Sequence, residues 1–395
     1  MASPLKQIHK SSFIKYLVLA SSGALSVVAF SPFDIKVIIL LSLAILIYSI
    51  ANSINYIEAF KRSLAWGLGY WIAGTGWLIV SIHFYGNTNL MISILIILLM
   101  GIMLALVFIT PISLIKLLKP SKNIFIMSLS FASFLTILEL SRFILLGGFP
   151  WLLPGLTFLD TFAQPLISII GVYGTSFFIY FLSAFIALSC IFRNKVYFSL
   201  GILSVLIFFP QNNFHSEYYG KSIEIGIIQP ALDPFKKFQA DEATNIEETL
   251  LNLSEKHSNT DLIIWPESPF PYLNSSPEMT TLLSKTDKFP IIMSGTWEYN
   301  NNKLFNALTL LGTNQSYYKR HLVPFGEYVP FERIIRGLIE FFDLPMSSIT
   351  QGRSKQELFN IKEFKVLGMI CFDVAFPLSF IEETKKADFI RFFPY

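Results

Sequence analysis

Three residues, far apart along this sequence, are of types that carry out nucleophilic chemistry and stand where a fold would expose them for it. Cys371 follows the apolar run Lys365-Val-Leu-Gly-Met-Ile370 and precedes Phe-Asp-Val-Ala-Phe-Pro, the pattern of a strand turning toward a helix. A thiol at such a turn faces the crevice beyond the carboxyl ends of an open α/β sheet, beside backbone N–H groups able to hold an oxyanion. Glu267 closes Leu262-Ile-Ile-Trp-Pro-Glu267, so a carboxylate stands at the same kind of strand end, where desolvation raises its pKa toward the range of a general base. Lys319 ends a third strand-like piece, within Tyr317-Tyr-Lys-Arg-His-Leu-Val-Pro-Phe-Gly-Glu327. A thiol is a poor nucleophile at its free pKa of about 8.5; a nearby ammonium stabilises the thiolate and neutralises a developing oxyanion. Singly, each has a plainer reading: a buried structural cysteine, a strand-end cap and a solvated surface cation. Together, each at a strand terminus, they read as one site.

Strand ends require a sheet. From Lys221 onward, short β-branched runs alternate with polar, helix-like segments, as in an α/β domain. Ser222 to Ile228, Leu262 to Trp265, Ile291 to Thr296 and Lys365 to Ile370 read as buried strands, and Asp241 to Ser254 as a helix. Ala307 to Leu311 and Gln315 to Lys319 form an expected hairpin across Gly312-Thr313-Asn314. Phe331, Ile334, Ile335, Leu338 and Phe342 recur at helical spacing, with Glu332, Arg333, Arg336, Glu340 and Asp343 on other faces. That amphipathic segment either dips into a lipid leaflet or packs on its own domain.

The 395 residues are 53% hydrophobic and 14% charged, with mean hydropathy +0.55. A soluble globule carries roughly a quarter charged residues, so a bilayer is implied. The net charge of +3 is too small for a nucleic-acid binder. The two cysteines, Cys190 and Cys371, lie in different contexts, which excludes a disulfide scaffold, and no metal-ligand spacing is present. Up to about Pro210 the chain reads as seven apolar spans, near Phe13 to Phe30, Ile35 to Ala51, Glu58 to Ser81, Leu90 to Leu118, Asn123 to Phe143, Pro165 to Phe192 and Val196 to Phe209. The first is read as an uncleaved span. With alternating spans, Lys6, Lys10, Lys15, Lys61, Arg62, Lys116, Lys119, Lys122, Arg193 and Lys195 share one side, against Lys36 and Arg142. The positive-inside rule then places the amino terminus in the cytoplasm and everything after Gln211 on the outer face, the periplasm in a bacterium. Glu139 and Arg142 stand i,i+3 near a span end and pair structurally, and the helix-breaking run Gly148-Phe-Pro-Trp-Leu-Leu-Pro-Gly155 reads as a re-entrant or interfacial loop.

The order Trp-Pro-Glu267, Lys319-Arg-His-Leu-Val-Pro-Phe-Gly-Glu327 and Met-Ile-Cys371 resembles the Glu-Lys-Cys signature of the nitrilase superfamily. With the preceding spans, the Glu139-Leu-Ser-Arg142 and Gly148-Phe-Pro-Trp151 strings and His-Leu-Val-Pro-Phe-Gly-Glu-Tyr-Val-Pro, the chain resembles the membrane-fused branch, the apolipoprotein N-acyltransferases, over nearly its whole length. The resemblance implies a multi-pass α-helical membrane bundle over residues 1–210, followed by an α/β nitrilase-like domain over 221–395, an α-β-β-α sandwich. It implies acyl transfer from a phospholipid donor, through a cysteine thioester, to the amino group of a diacylglyceryl apolipoprotein, at the bacterial inner membrane and without a cofactor. By position, Cys371 becomes the nucleophile, Glu267 the general base and acid, Lys319 the oxyanion-stabilising cation and Glu327 a supporting carboxylate.

Departures from the pattern carry expectations too. Phe372-Asp373 stand where the family more often has Tyr-Glu, and Phe238 where it commonly has Trp, so these three are candidate substrate contacts. After Ile390 the family continues with further strands and a last span, whereas Arg391-Phe-Phe-Pro-Tyr395 stops, so the sandwich is expected to be incomplete at its C-terminal end. Two alternatives share the same residues: a membrane-tethered amidohydrolase with water as acceptor, and a catalytically inactive remnant.

Overall fold

The computed structural model describes residues 4–86, 88–118, 121–145, 148–211, 222–232, 242–324, 326–328 and 348–393. The chain divides into two compact units, Met1–Ser216 and Glu217–Tyr395.

The first unit is helical. Its α-helices are α1 (Pro4–Leu25), α2 (Val37–Ala51), α3 (Tyr56–Thr75), α4 (Leu90–Phe108), α5 (Ile124–Ile144), α6 (Gln164–Ile191) and α7 (Lys195–Leu203). The seven expected spans thus each contain a helix, but among the described residues only three helical stretches are long and apolar enough to cross a membrane: Leu90–Leu117, Ile124–Ile144 and Gln164–Ile191. Phe13–Ala29, Val37–Ala51 and Lys195–Phe208 are shorter apolar helices. The third expected span starts on charge, because Glu58 accepts from Arg62 one turn on and from Lys15 of α1 at 3.0 Å. α6 is interrupted at Gly171, whose φ of +70° only glycine adopts without strain. Close backbone approach joins α1 to α3: a Cβ on Gly69 would sit 1.8 Å from the Ala20 carbonyl oxygen, and one on Gly23 would sit 2.0 Å from that of Trp66. Small residues allow such contact, and the closely packed helices gain dispersion attraction along it.

The helix breakers of residues 148–155 do form a non-helical segment, with a short 3-10 turn at Pro154–Phe158. Its freed backbone groups are met by buried side chains. Tyr70 Oη donates to the Leu152 carbonyl (2.6 Å), Arg142 Nη1 to that of Trp151 (2.8 Å), and the Gly155 N–H donates to Ser176 Oγ (2.9 Å). Arg142 pairs with Glu139 at 3.4 Å, as expected, and Tyr180 Oη donates to the same carboxylate. Tyr70, Glu139, Arg142 and Tyr180 border a cavity of about 20 Å³, room for roughly one water.

The second unit is built on two sheets. The first runs β1 (Ile225–Ile227), β2 (Leu262–Ile264), β3 (Ile291–Asn300), β4 (Lys303–Leu310) and β5 (Ser316–Tyr318), parallel over β1 to β3 and antiparallel over β3 to β5. The second holds β6 (Phe359–Ile361), β7 (Phe364–Ile370) and β8 (Phe389–Phe393), with β7 central, antiparallel to β6 and parallel to β8. Successive side chains of a strand face opposite ways. Leu262, Ile264 and Met293 accordingly share one core with Val366 and Ile370 of the second sheet. Ile263, Trp265 and Ile292 enter another, against Ile246 and Leu250 of α8 (Ala243–Glu255) and Met279 and Leu282 of α9 (Pro277–Thr286). The order of layers among the described residues is helix, sheet, sheet.

The hairpin across Gly312 forms as expected, pairing Ala307 with Tyr318 and Thr309 with Ser316. β1 is shorter than the run from Ser222 to Ile228, and β3 extends beyond Thr296 to a second hairpin turning at Asn301-Asn302, both at positive φ. Two asparagines in sequence suit that left-handed turn, a signal the β-branched pattern alone passes over. The amphipathic segment from Phe331 to Phe342 lies outside the described residues.

Candidate active site

All three chemistry-bearing residues follow strand ends. Glu267 comes three residues after β2, Lys319 directly after β5 and Cys371 directly after β7. The Glu267 position depends on a missing side chain: a Cβ on Gly295 of β3 would lie 2.1 Å from the Ser268 nitrogen and 2.6 Å from the Glu267 Cα. Only glycine lets the segment after β2 lie this close on β3, where the Gly295 N–H also donates to the Pro266 carbonyl (3.1 Å).

Lys319, 2% exposed, is held between two carboxylates. Its Nζ is 3.1 Å from Glu267 Oε1 and 2.9 Å from Glu327 Oε1. Glu327 is fixed in turn by the Val323 N–H, which donates to its Oε2 at 2.8 Å. Asn306 of β4 completes the group. Its Nδ2 donates to Glu267 Oε1 (2.7 Å) and Glu327 Oε1 (2.9 Å), while its Oδ1 accepts from Ser268 Oγ (3.1 Å). The amide faces this way because the same two carboxylate oxygens accept from Lys319 Nζ, so its NH2 turns to them and its oxygen to the Ser268 hydroxyl. Burial works against the charge on Lys319, but the two carboxylates and the neighbouring thiol outweigh it and hold the ammonium above the ordinary lysine range.

Cys371 has a φ of +44°, a left-handed conformation that costs a non-glycine residue on the order of 1 kcal/mol. A sharp strand-to-turn bend of this kind thrusts a side chain out of the sheet end. The sulfur lies within electrostatic reach of Glu267, Lys319 and Glu327. Burial, then the Glu267 carboxylate, pushes its thiol up from 9.0 to about 11, with Lys319 and the Phe372 N–H pulling the other way. At neutral pH the resting residue is therefore a thiol, and it needs a base to become a nucleophile.

The three candidate substrate contacts fare differently. Phe238 lies outside the described residues. The Phe372 ring packs edge-on against Phe376 (5.0 Å), and its backbone N–H favours the Cys371 thiolate. Asp373 is fully buried with its carboxylate occupied by protein donors, so it stands inside the fold rather than on a substrate surface. Its Oδ2 accepts from Tyr317 Oη (2.8 Å) and the Ile370 N–H (3.2 Å), and its Oδ1 from the Arg320 and His321 N–H groups (3.2 and 2.8 Å). Asn306 and Gly295 are the residues that motif reading missed. The available signal was an amide in the otherwise apolar run Leu304-Phe-Asn-Ala-Leu308, and a glycine inside a buried strand. Among the described residues no group of His, Cys, Asp and Glu could hold a metal ion.

Comparison with known proteins gives this geometry a lineage. The family profile described as the apolipoprotein N-acyltransferase N-terminal domain matches residues 22–185. The apolipoprotein N-acyltransferase of Coxiella burnetii is 30% identical over 387 residues, 93% of this chain and 78% of the relative. That of Haemophilus influenzae is 30% identical over 397 residues (93% and 74%), and that of Pseudomonas syringae pv. tomato 29% over 380 (91% and 74%). Among solved structures, a carbon-nitrogen hydrolase from Helicobacter pylori overlaps 43% of this chain and 59% of its own, at 21% identity and a TM-score of 0.30, too loose a match to carry an argument. Identity near 30% that runs through both the helical unit and the unit bearing Glu267, Lys319 and Cys371 is decisive: the chain belongs to the apolipoprotein N-acyltransferase family.

Proposed function

We propose that this family member, an acyltransferase of lipoprotein maturation, carries the acyl group on Cys371 between a phospholipid donor and the free amine of a diacylglyceryl-cysteine acceptor. The observation that carries the reading is the salt-bridged cluster of Lys319 with Glu267 and Glu327, beside a thiol raised to about 11. In the first half-reaction Glu267 takes the thiol proton as sulfur attacks the ester carbonyl. Lys319 balances the oxyanion, and the C–O bond breaks as Glu267 returns the proton to the lysophospholipid oxygen. In the second, the acceptor amine attacks the thioester, the C–S bond breaks, and the proton lost by nitrogen passes through Glu267 back to sulfur. Glu327 keeps Lys319 in place. Two successive displacements on one thiol predict ping-pong kinetics.

The same reading takes residues 1–210 as a membrane domain with seven crossings and 221–395 as a nitrilase-like domain in the periplasm, at the inner membrane. The charge distribution supports that orientation, and the separate compact units support the division. Incubation of the full chain with phospholipid, followed by mass spectrometry, tests the chemistry. An acyl thioester forms on Cys371 and is lost in Cys371→Ser; acyl transfer to lipoprotein that persists in Cys371→Ser refutes the thioester.

A further inference from the structure

The backbone at Cys371 is strained, so something outside the turn holds it there. We propose that His321 is a positioning residue that clamps the turn carrying Cys371 onto the strand end carrying Lys319. His321 lies two residues beyond Lys319, and its partners lie two to eight residues beyond Cys371. Its backbone N–H donates to Asp373 Oδ1 at 2.8 Å, and its Nδ1 is 3.2 Å from the same oxygen. Nε2 is 3.1 Å from Ser379 Oγ. The ring lies flat on Phe376, with centroids 4.1 Å apart and planes inclined by 5°. Both ring nitrogens and a ring face are thus spent on the segment that follows the nucleophile.

The tautomer follows from the partners. Asp373 Oδ1 already accepts from two backbone N–H groups, so the Nδ1 that faces it is the donor, and Nε2 shares a hydrogen bond with the Ser379 hydroxyl. Asp373 links this clamp to the strained residue, because its other oxygen receives the Ile370 N–H immediately before Cys371. Tyr317, two residues before Lys319, donates to that oxygen too, so the clamp grips both sides of the lysine. Ser379, His321 and Asp373 stand in the order of a hydrolytic relay, but here the chain runs into the turn that sets the sulfur against Lys319, and its product is placement rather than attack.

The inference rests on Cys371 being the nucleophile, and the experiment separates the two. The full chain in phospholipid-containing micelles is assayed for lipoprotein acylation, and Cys371 alkylation by iodoacetamide is followed against pH by peptide mass spectrometry. His321→Ala lowers kcat by about tenfold or more with KM within roughly twofold, and slows Cys371 alkylation while moving its pH profile. His321→Asn, whose amide still reaches Asp373, recovers a substantial part of both. If His321→Ala does not fold, Ser379→Ala carries the test, with alkylation slowed about threefold. An unchanged alkylation profile in the folded variants, whether activity falls or not, overturns the clamp, as does labelling of Ser379 by a fluorophosphonate. Full activity in Cys371→Ser instead overturns the nucleophile, and Cys371 alkylation in the otherwise native chain still decides whether His321 holds the turn.

Discussion

The side-chain amide of Asn306 donates to Glu267 Oε1 across 2.7 Å, from the middle of a buried strand that the motifs do not include. With its second hydrogen on Glu327, it holds two carboxylates near one ammonium at a fixed separation. Removing a donor from a buried charged acceptor costs about 1–3 kcal/mol. Asn306→Ala is expected to keep the fold and lower kcat roughly tenfold to a hundredfold, measured as lipoprotein acylation in micelles. Asn306→Asp, which adds a third carboxylate, is expected to be worse than Ala in both thermal stability and rate.

The raised thiol predicts a pH signature. Iodoacetamide reacts with thiolate, so alkylation of Cys371 stays slow near pH 8 and rises toward its midpoint near 11. Stability follows the same group. The folded chain holds the thiol proton to higher pH than the unfolded chain, whose thiol ionises near 9.0. The contribution is therefore fully present below about pH 9 and is lost as pH climbs toward 11. A Cys371 alkylation midpoint below 8 contradicts this placement of the sulfur.

Lys319→Met leaves two buried carboxylates facing each other without a cation. Breaking one side of such a cluster costs about 3–5 kcal/mol. The expected result is a marked loss in denaturant midpoint together with loss of acylation, and Lys319→Arg is not expected to restore it, because the planar guanidinium does not fit the place of a point charge. A Lys319→Met chain as stable as the native one contradicts the ion cluster.

Gly295→Ala tests the packing beneath the site. The added methyl meets backbone atoms of Ser268 and Glu267 at 2.1–2.6 Å, which cannot move as a flexible side chain would. A loss of about 1–3 kcal/mol is expected from overpacking, with reduced acylation because Glu267 is displaced from Lys319. Gly312→Ala is the useful contrast: that residue has a positive φ, unlike Gly295, and nothing within 4 Å, so its substitution strains a turn and leaves the rate unchanged.

In the helical unit, Arg142→Ala removes both the partner of Glu139 and the donor to the Trp151 carbonyl. A buried carboxylate and a part-buried carbonyl lose satisfaction together, so the purified protein is expected to unfold at clearly lower temperature, with a cost on the order of 3 kcal/mol. Glu139→Gln, which keeps a neutral acceptor for Tyr180, is expected to cost less. Near-identical melting of the two variants would speak against the pairing.

Residue types and local spacing were enough to mark Glu267, Lys319 and Cys371, because a strand end is written locally: an apolar run, then a residue that cannot continue it. The hairpin before Lys319 and the helix breakers around Trp151 were legible for the same reason. The lengths of the individual helices were not, since apolar stretches of similar composition resolve into helices of 9 to 28 residues, depending on caps, kinks and charges such as Glu58 and Arg62.

What the sequence determined alone was therefore the inventory: an oily helical half, an α/β half, and a thiol, a carboxylate and an ammonium at strand ends. Tertiary structure decided how they meet. It put Asn306 between the two carboxylates, made room for Glu267 through Gly295, buried Asp373 where a substrate contact was expected, and used His321 to hold the strained turn at Cys371. Each of these is a contact between segments tens of residues apart. Its energy depends on distance and burial, which only the packed chain defines.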